Sequence, residues 1–345
     1  MSESEDGASL SAASPVLPAW LQPVAREALA RRSRWPQGLL IGGSEGIGKR
    51  ALAMHFARAL LCESPSAGGE ACGTCASCRY VAALQHPDLR IVEPVDVDDE
   101  GNATPTELIR IERIRDLTQW SQRTSHRGGA KVAIIVPAER MHAPTANALL
   151  KTLEEPPAST HLMLVAHQPD RLLPTIASRC QRLALSLPPR ELALSWLRDQ
   201  DVAQGERVLA QAAGAPFRAL ELADEGLQAE RNAWLTALAR PDRLSPLALA
   251  ARIDLGERAA RRERLAAAID WLVAWTFDLA RVAAGGDAIR NPDHAQAIAA
   301  LAPQVAGIAL FRYHRRLLDQ RTLVGHPLQP RLVAEALVID YRALF

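Results

Sequence analysis

The segment Gly43-Ser-Glu-Gly-Ile-Gly-Lys-Arg50 constrains the fold most, because it has the G-x-x-x-x-G-K frame of a phosphate-binding loop. Such a loop lies between a buried strand and a helix, and its backbone N–H groups surround phosphate oxygens. The next position normally carries a Ser or Thr hydroxyl that binds Mg²⁺, but Arg50 has no lone pair to offer a metal. The loop therefore predicts a nucleotide-binding architecture without one metal ligand. The predicted phosphate cradle consists of Gly43, Gly46, Gly48 and Lys49.

The flanking segments have the pattern that a phosphate loop requires. A short apolar run at 38–41 precedes the loop, and residues 50–61 have apolar positions at helical spacing. Further apolar runs alternate with helical patterns, which predicts a parallel sheet covered by helices on both faces. The predicted strands are 38–41, 88–94, 131–136 and 161–166, the predicted helices are 21–32, 50–61, 106–124 and 145–155, and residues 95–105 are predicted to be an exposed acidic loop.

A second magnesium contact is also missing. An ATPase places an Asp at the tip of a neighbouring strand to hold Mg²⁺, and a following Glu polarises the attacking water. The strand that ends at Val136 is followed by Pro137, and Glu139 is displaced, so we expect its carboxylate to point elsewhere. Two interpretations of the loop stay open: weak nucleotide binding through Lys49 and the loop amides, or a retained fold element that binds nothing.

Four of the five cysteines form a cluster in the sequence, and the last three have the spacing C-x-x-C-x-x-C. Four thiolates can close a tetrahedral Zn²⁺ site with no open position, which is the structural type of zinc site. Binding could supply roughly 10–16 kcal/mol, as in zinc-finger peptides, to a loop without a core of its own. Cys180 is remote and is predicted to pack in the core. The predicted ligands are Cys62, Cys72, Cys75 and Cys78.

Charge and hydropathy exclude several classes of protein. The formal net charge is +1, so no global field attracts nucleic acid. No apolar run is long enough to cross a membrane. Residues 1–15 are acidic and rich in Ser and Ala, which predicts a disordered tail rather than a secretory signal. We therefore expect a cytoplasmic protein. Lysine occurs only at 49, 131 and 151, which suggests that a compact ammonium is needed there.

The second half of the chain has a different pattern. No strand is predicted after Leu187. Residues 190–226 suit a small helical domain, and residues 227–345 suit longer helices, such as 258–284 and 304–320. Trp271 and Trp275 are four residues apart on one helical face, which predicts core packing.

Two further motifs are Asn147-Ala-Leu-Leu-Lys-Thr-Leu-Glu-Glu-Pro-Pro157 and Ser178-Arg-Cys180. Together with the phosphate loop and the cysteines, they resemble bacterial clamp-loader subunits of the AAA+ class over roughly residues 16–226. ATP-hydrolysing members carry the loop hydroxyl and the Asp-Glu pair. The chain lacks both, and in this it is similar to the delta-prime family of DNA polymerase III subunits.

The resemblance implies an α/β chain in three parts: a RecA-like AAA+ domain with a parallel sheet at 16–186, a small helical lid at 187–226 and an all-α collar at 227–345. The first part would include the zinc-binding insertion at 62–79. The collar would join a five-subunit ring with ATP-hydrolysing subunits and a delta subunit. That ring opens a sliding clamp and sets it on primed DNA.

The resemblance also implies roles for single residues. Arg179 would act as an arginine finger in trans at the ATP site of a neighbour, where such groups are worth about 10³–10⁵ in rate in GTPases. Lys151 would face DNA or the ring interior. His167 stands where active members place a polar sensor, and the second sensor arginine falls on Phe217, with Arg218 one place away. These departures favour a subunit without intrinsic catalysis in the polymerase holoenzyme.

Two alternative functions stay open at this point. The chain could be an active ATPase motor subunit of the same clamp loader, although Arg50 and Val136 oppose this. It could also be a zinc-bearing nucleic-acid-binding module on a decayed ATPase fold, although the near-neutral charge opposes that.

Overall fold

The computed structural model describes residues 16–97, 103–324 and 329–345. Residues 1–15, which the sequence predicts to be a disordered tail, lie outside the described residues. The chain forms two compact units, the first extending to Trp196 and the second comprising Leu197–Phe345. This division falls inside one helix, so the predicted boundaries of a lid and a collar stay predictions.

The first unit contains a five-stranded parallel sheet and a two-stranded antiparallel sheet. The parallel sheet has the order β2-β5-β6-β1-β7. In chain order the strands are β1 Gly38–Gly42, β2 Leu89–Val92, β3 Val95–Val97, β4 Ala103–Pro105, β5 Lys131–Ile135, β6 Thr160–Ala166 and β7 Gln181–Ala184. Every described residue of β1 and β5 is buried, as expected for strands covered on both faces.

Helices cover both faces of the sheet, and alternate residues of each strand point to opposite sides. Ile41 and Val165 pack in one core with the first two helices, whereas Leu40 and Leu164 pack in a second core with the fourth and fifth helices. The predicted α/β class with a parallel sheet is therefore confirmed. The helices are α1 Gln22–Ala30, α2 Lys49–Leu61, α3 Ala76–Ala82, α4 Ile111–Ser121, α5 Ala143–Glu154, α6 Pro174–Ala177 and α7 Arg190–Asp199.

Three parts of the first unit differ from the sequence-based predictions. Within the predicted loop at 95–105, β3 and β4 pair as antiparallel strands, and residues 98–102 lie outside the described part. Strand β7 was not predicted, because most of its side chains are exposed and it has no apolar run. Helix α4 begins at Ile111 rather than at 106, since residues 106–110 are not helical.

Every regular element that the structure describes in the second unit is a helix, as predicted. Trp271 and Trp275 are buried in its core, which confirms the prediction of core packing. The Trp275 indole N–H donates to the Tyr341 hydroxyl at 2.8 Å, and that hydroxyl donates to the Leu238 carbonyl at 2.9 Å. The helices are α8 Gly205–Gln211, α9 Pro216–Leu222, α10 Glu225–Leu238, α11 Pro246–Ala250, α12 Arg258–Ala283, α13 Ala295–Leu301, α14 Gly307–Thr322 and α15 Pro330–Arg342.

Candidate functional site

The phosphate loop connects β1 to α2, in the strand–loop–helix context that its sequence predicts. Gly43 has φ +145°, and a Cβ at this position would lie 2.4 Å from the Leu185 carbonyl oxygen. Gly46 and Gly48 also have positive φ, of 76° and 96°. The loop conformation therefore requires glycine at these positions. Helix α2 begins directly after Gly48, so its N-terminal N–H groups are available to an anion.

Lys49 is buried at the start of α2, and its ammonium donates to the Ser44 carbonyl inside the loop. Burial lowers the pKa of Lys49 to about 8, and the negative charges of Glu45 and Glu139 counter this in part. The cradle thus holds a desolvated cation that donates to a neutral carbonyl. Such a group favours an anionic ligand, because a phosphate would compensate its charge.

The two positions that should hold magnesium ligands do not offer any. Arg50 forms an ion pair with Glu93, at 3.1 Å between Nη2 and Oε1. Val136, directly after β5, is buried and apolar. The arginine cannot bind a cation, and its partner carboxylate is neutralised by it. Neither position can therefore hold Mg²⁺ in the way that an active phosphate-loop ATPase does.

Glu139 lies on a 3₁₀ turn after β5, and its carboxylate is directed at the backbone that follows β6. Its Oε1 accepts hydrogen bonds from the backbone N–H groups of His167 and Gln168, at 2.9 and 3.0 Å, at the end of β6. It is also close enough to Lys49 to raise the pKa of that lysine. Burial, followed by the charge of Lys49, lowers the pKa of His167. The carboxylate therefore ties two strand ends together beside the cradle.

The four cysteine thiols of the insertion converge. Their sulfur atoms all lie within 4.8 Å of one another. The Cys62–Cys75 and Cys72–Cys78 sulfur pairs are 3.9 and 4.0 Å apart. A zinc ion with four Zn–S bonds of about 2.3 Å needs sulfur atoms about 3.8 Å apart. The arrangement therefore fits a four-coordinate structural zinc ion, and the thiols of these residues would hold it.

Local structure brings these thiols together and shifts their pKa values. Cys62 directly follows α2, and Cys75 caps the N-terminus of α3 by accepting from the Cys78 N–H at 3.4 Å. Backbone N–H groups of Thr74 and Cys75 lower the pKa of the Cys72 thiol to about 6. Burial raises the pKa of Cys78 to about 12. A divalent cation would keep all four sulfurs ionised, because thiolate is the form that binds a metal.

A polar network that the sequence did not reveal attaches the insertion to the sheet. The Ser77 hydroxyl donates to Glu63 at 2.9 Å, and Arg127 donates to the same carboxylate oxygen at 2.6 and 3.0 Å. The Asp88 N–H donates to Nδ1 of His86 at 3.0 Å, so the proton on Nε2 of His86 faces the Ser77 hydroxyl at 3.1 Å. The partners are distant in sequence, so no local pattern predicts them.

Arg179 lies between α6 and β7 and is exposed. Its Nε and Nη2 both contact Oε1 of Glu154, at 2.8 and 2.5 Å. Its Nη1 donates to the Thr175 carbonyl at 2.9 Å and to the Ser178 hydroxyl at 3.4 Å. The structure therefore joins the two motifs that the sequence singled out, at 147–157 and 178–180. Sequence reasoning assigned no role to Glu154.

The remaining candidate residues lie in different parts of the chain. Lys151 is exposed on α5, and Cys180 is buried in the core, which raises its pKa to about 11. In the second unit, Arg218 pairs with Glu221 at 2.8 Å.

Lys131 is a structural cation. Its ammonium is buried and donates to the carbonyls of Trp120, Ser121 and Arg123 at the end of α4. It also lies 4.3 Å from the centre of the Trp120 ring. A compact ammonium has three donors, which here serve three convergent carbonyls. The sparse lysines at 49 and 131 are therefore both buried against carbonyl groups.

Across the described ranges, no helix combines the length and apolar character needed to cross a bilayer.

Comparison with known proteins gives consistent similarities. The profile of a family described as "DNA polymerase III, delta subunit" matches residues 25–189. DNA polymerase III subunit delta' of Pseudomonas aeruginosa is 42% identical over 207 residues, which cover 59% of this chain and 60% of that relative. The Escherichia coli (strain K12) subunit delta' is 32% identical over 292 residues and 82% of each chain. A DNA polymerase III gamma subunit-related protein of Thermotoga maritima has 17% identity and a TM-score of 0.44, over 93% of this chain and 99% of that structure.

Proposed function

Because the chain belongs to the delta-prime family of bacterial DNA polymerase III clamp-loader subunits, we propose that it is a non-hydrolysing member of the loading ring. The observation that carries this proposal is the intact phosphate loop without magnesium ligands. Arg50 is paired with Glu93, and Val136 is a buried apolar side chain. The energy for opening and placing the sliding clamp on primed DNA would then come from ATP bound by neighbouring subunits.

We further propose that Arg179 supplies a guanidinium in trans to the ATP site of a neighbour. The support is its exposure on a turn between α6 and β7, where Ser178 and Thr175 hold it. A guanidinium beside the terminal phosphates stabilises the charge that develops during phosphoryl transfer. The chain would thereby contribute to hydrolysis that it does not perform itself.

The four-cysteine cluster is proposed to bind one structural Zn²⁺. Its sulfur distances match a closed tetrahedral site, which leaves no position for a substrate. The ion would fix the insertion at 62–79, while the Glu63–Arg127 contact ties that insertion to the segment before β5. The zinc would therefore stabilise the folded insertion.

The second unit is proposed to include the ring-forming collar. Helix α14 exposes Ile308, Phe311 and Leu318, by 68%, 65% and 47%, at a spacing that places them on one face. An apolar face of this kind is typical of a protein interface. Its partners would be the ATP-hydrolysing subunits and the delta subunit of a five-subunit ring, in the cytoplasm. Contact with the clamp and primed DNA would occur through that complex. The proposed lid comprises residues 187–226, and the proposed collar comprises residues 227–345.

The trans role is tested by replacing Arg179 with Ala in a reconstituted clamp-loader complex. We expect hydrolysis at the one ATP site that receives Arg179 to fall by a factor of about 10³ or more, the lower end of the range for such arginines in GTPases, so that the turnover of the complex falls by the share of that site. Arg182→Ala, at an exposed position on β7, is the matched control and should retain turnover. Unchanged turnover in the Arg179 variant, with normal assembly by native mass spectrometry, would refute the trans role.

A further inference from the structure

We infer that Glu154 is a latch that holds the Arg179 guanidinium within its own subunit and must release it before the finger can bind a neighbour's phosphate. This inference rests on the trans role proposed above. It adds a residue that controls when the arginine is available. The contact joins the last residue of α5 to the turn that follows α6.

The latch follows from how the guanidinium donors are used. A guanidinium has five N–H donors, and it binds a carboxylate or phosphate best through two parallel N–H groups. In Arg179, the Nε and Nη2 edge is directed at Glu154, at 2.8 and 2.5 Å. Nη1 is held by the Thr175 carbonyl and the Ser178 hydroxyl. Neither edge is therefore fully available for a two-point contact with a phosphate while these bonds persist.

The position of Glu154 supports a role in holding the arginine. It is the final residue of helix α5, where the negative end of the helix dipole disfavours a carboxylate. Lys151 is also in the last turn, but the cation that contacts this carboxylate directly is Arg179. A carboxylate that needs the guanidinium for its own stability competes with any phosphate for it.

The contact is weak enough to be exchanged. The side chains of Arg179 and Glu154 are 35% and 48% exposed, and ion pairs of this kind change equilibria by roughly 1.4- to 5-fold. A neighbour's nucleotide carries several negative charges and would displace the single carboxylate. The contact with Glu154 thus adds a small free-energy cost to the release of the Arg179 guanidinium.

The first test measures Arg179 in the isolated full-length chain. Phenylglyoxal modifies accessible arginines, and mass spectrometry reports the modification of the peptide that contains residue 179. We expect Glu154→Gln to raise the modification rate of Arg179 by roughly 1.4- to 5-fold. Glu155→Gln removes an exposed charge from the adjacent position and should leave the rate unchanged. An equal rate in wild type and the Glu154 variant would overturn the latch.

The second test uses the reconstituted clamp-loader complex with ATP, clamp and primed DNA. Glu154→Gln should raise kcat/KM for ATP by roughly 1.4- to 5-fold, and the Glu154→Gln, Arg179→Ala double variant should match Arg179→Ala alone. If Arg179→Ala lowers turnover but Glu154→Gln also lowers it, the latch is wrong and the trans role stands. If Arg179→Ala has no effect on turnover, the trans role and the latch built on it both fail.

Discussion

Replacing Lys49 with Met should stabilise the protein at neutral pH, because the phosphate loop buries an ammonium that donates to a neutral carbonyl. Lys49 is 3% exposed and donates to the Ser44 carbonyl. Glu45 and Glu139 compensate the charge only in part, since the pKa of Lys49 stays lowered to about 8. Met has a similar length and packs in apolar surroundings without a charge. The substitution therefore removes an unfavourable group while keeping most of the side-chain volume.

The size of the effect follows from the pKa. The pKa of Lys49 falls from 10.5 to about 8 on folding, and each unit corresponds to about 1.4 kcal/mol, so the buried charge costs about 3 kcal/mol at pH 7. Loss of the contact to Ser44 offsets about 1 kcal/mol, which leaves a net gain of about 2 kcal/mol. The unfolded chain holds this proton more tightly than the folded chain. The cost is therefore complete below pH 8 and disappears as the pH rises toward 10.5.

The assay is urea denaturation of wild type and Lys49→Met at pH 7 and pH 10. The stabilisation by Met should decrease by about 2 kcal/mol between these pH values. Lys151→Met, at an exposed position on α5, is the matched control and should change stability by less than about 0.5 kcal/mol at both pH values. A variant that is less stable at pH 7, or whose stability difference does not depend on pH, would refute the reasoning.

Lys131→Met should lower the free energy of unfolding by about 2–4 kcal/mol, because three carbonyls at the end of α4 lose a charged donor. Unchanged stability in urea denaturation would contradict the structural role of Lys131. Zinc should co-purify at about one ion per chain, and Cys75→Ser should lower that content in elemental analysis, since a closed site needs four ligands. Chelation should increase hydrogen exchange across 62–79, and metal-free protein with unchanged exchange would argue against a structural ion.

Local patterns were enough to predict much of the first unit. Buried strands such as β5 are continuous apolar runs, and the glycine frame at 43–48 fixes a strand–loop–helix order. Strand β7 was missed because it is a short edge strand with exposed residues, and its pairing with β1 depends on tertiary structure. The pairing of β3 with β4 was missed because the acidic composition of 95–105 outweighed the short β3 segment.

The candidate site was predictable where one segment contains all of its residues. The cysteine spacing and Arg50 fall in this class. Contacts between distant segments were not predictable, because no periodicity connects Glu154 to Arg179 or Glu63 to Arg127. The contacts of Glu139 were not predictable for the same reason, since its partners are backbone N–H groups after β6. The structure therefore adds chiefly the polar contacts that position or restrain the residues found in the sequence.

We propose that this chain lends an arginine to a neighbour and does not hydrolyse ATP itself. The absence of hydrolysis is tested by measuring phosphate release by the isolated chain in the presence of ATP, with and without Mg²⁺, beside an Arg50→Thr, Val136→Asp variant. We expect no magnesium-dependent release by the wild-type chain above the rate in buffer. Steady magnesium-dependent turnover that disappears on Lys49→Ala substitution would contradict it.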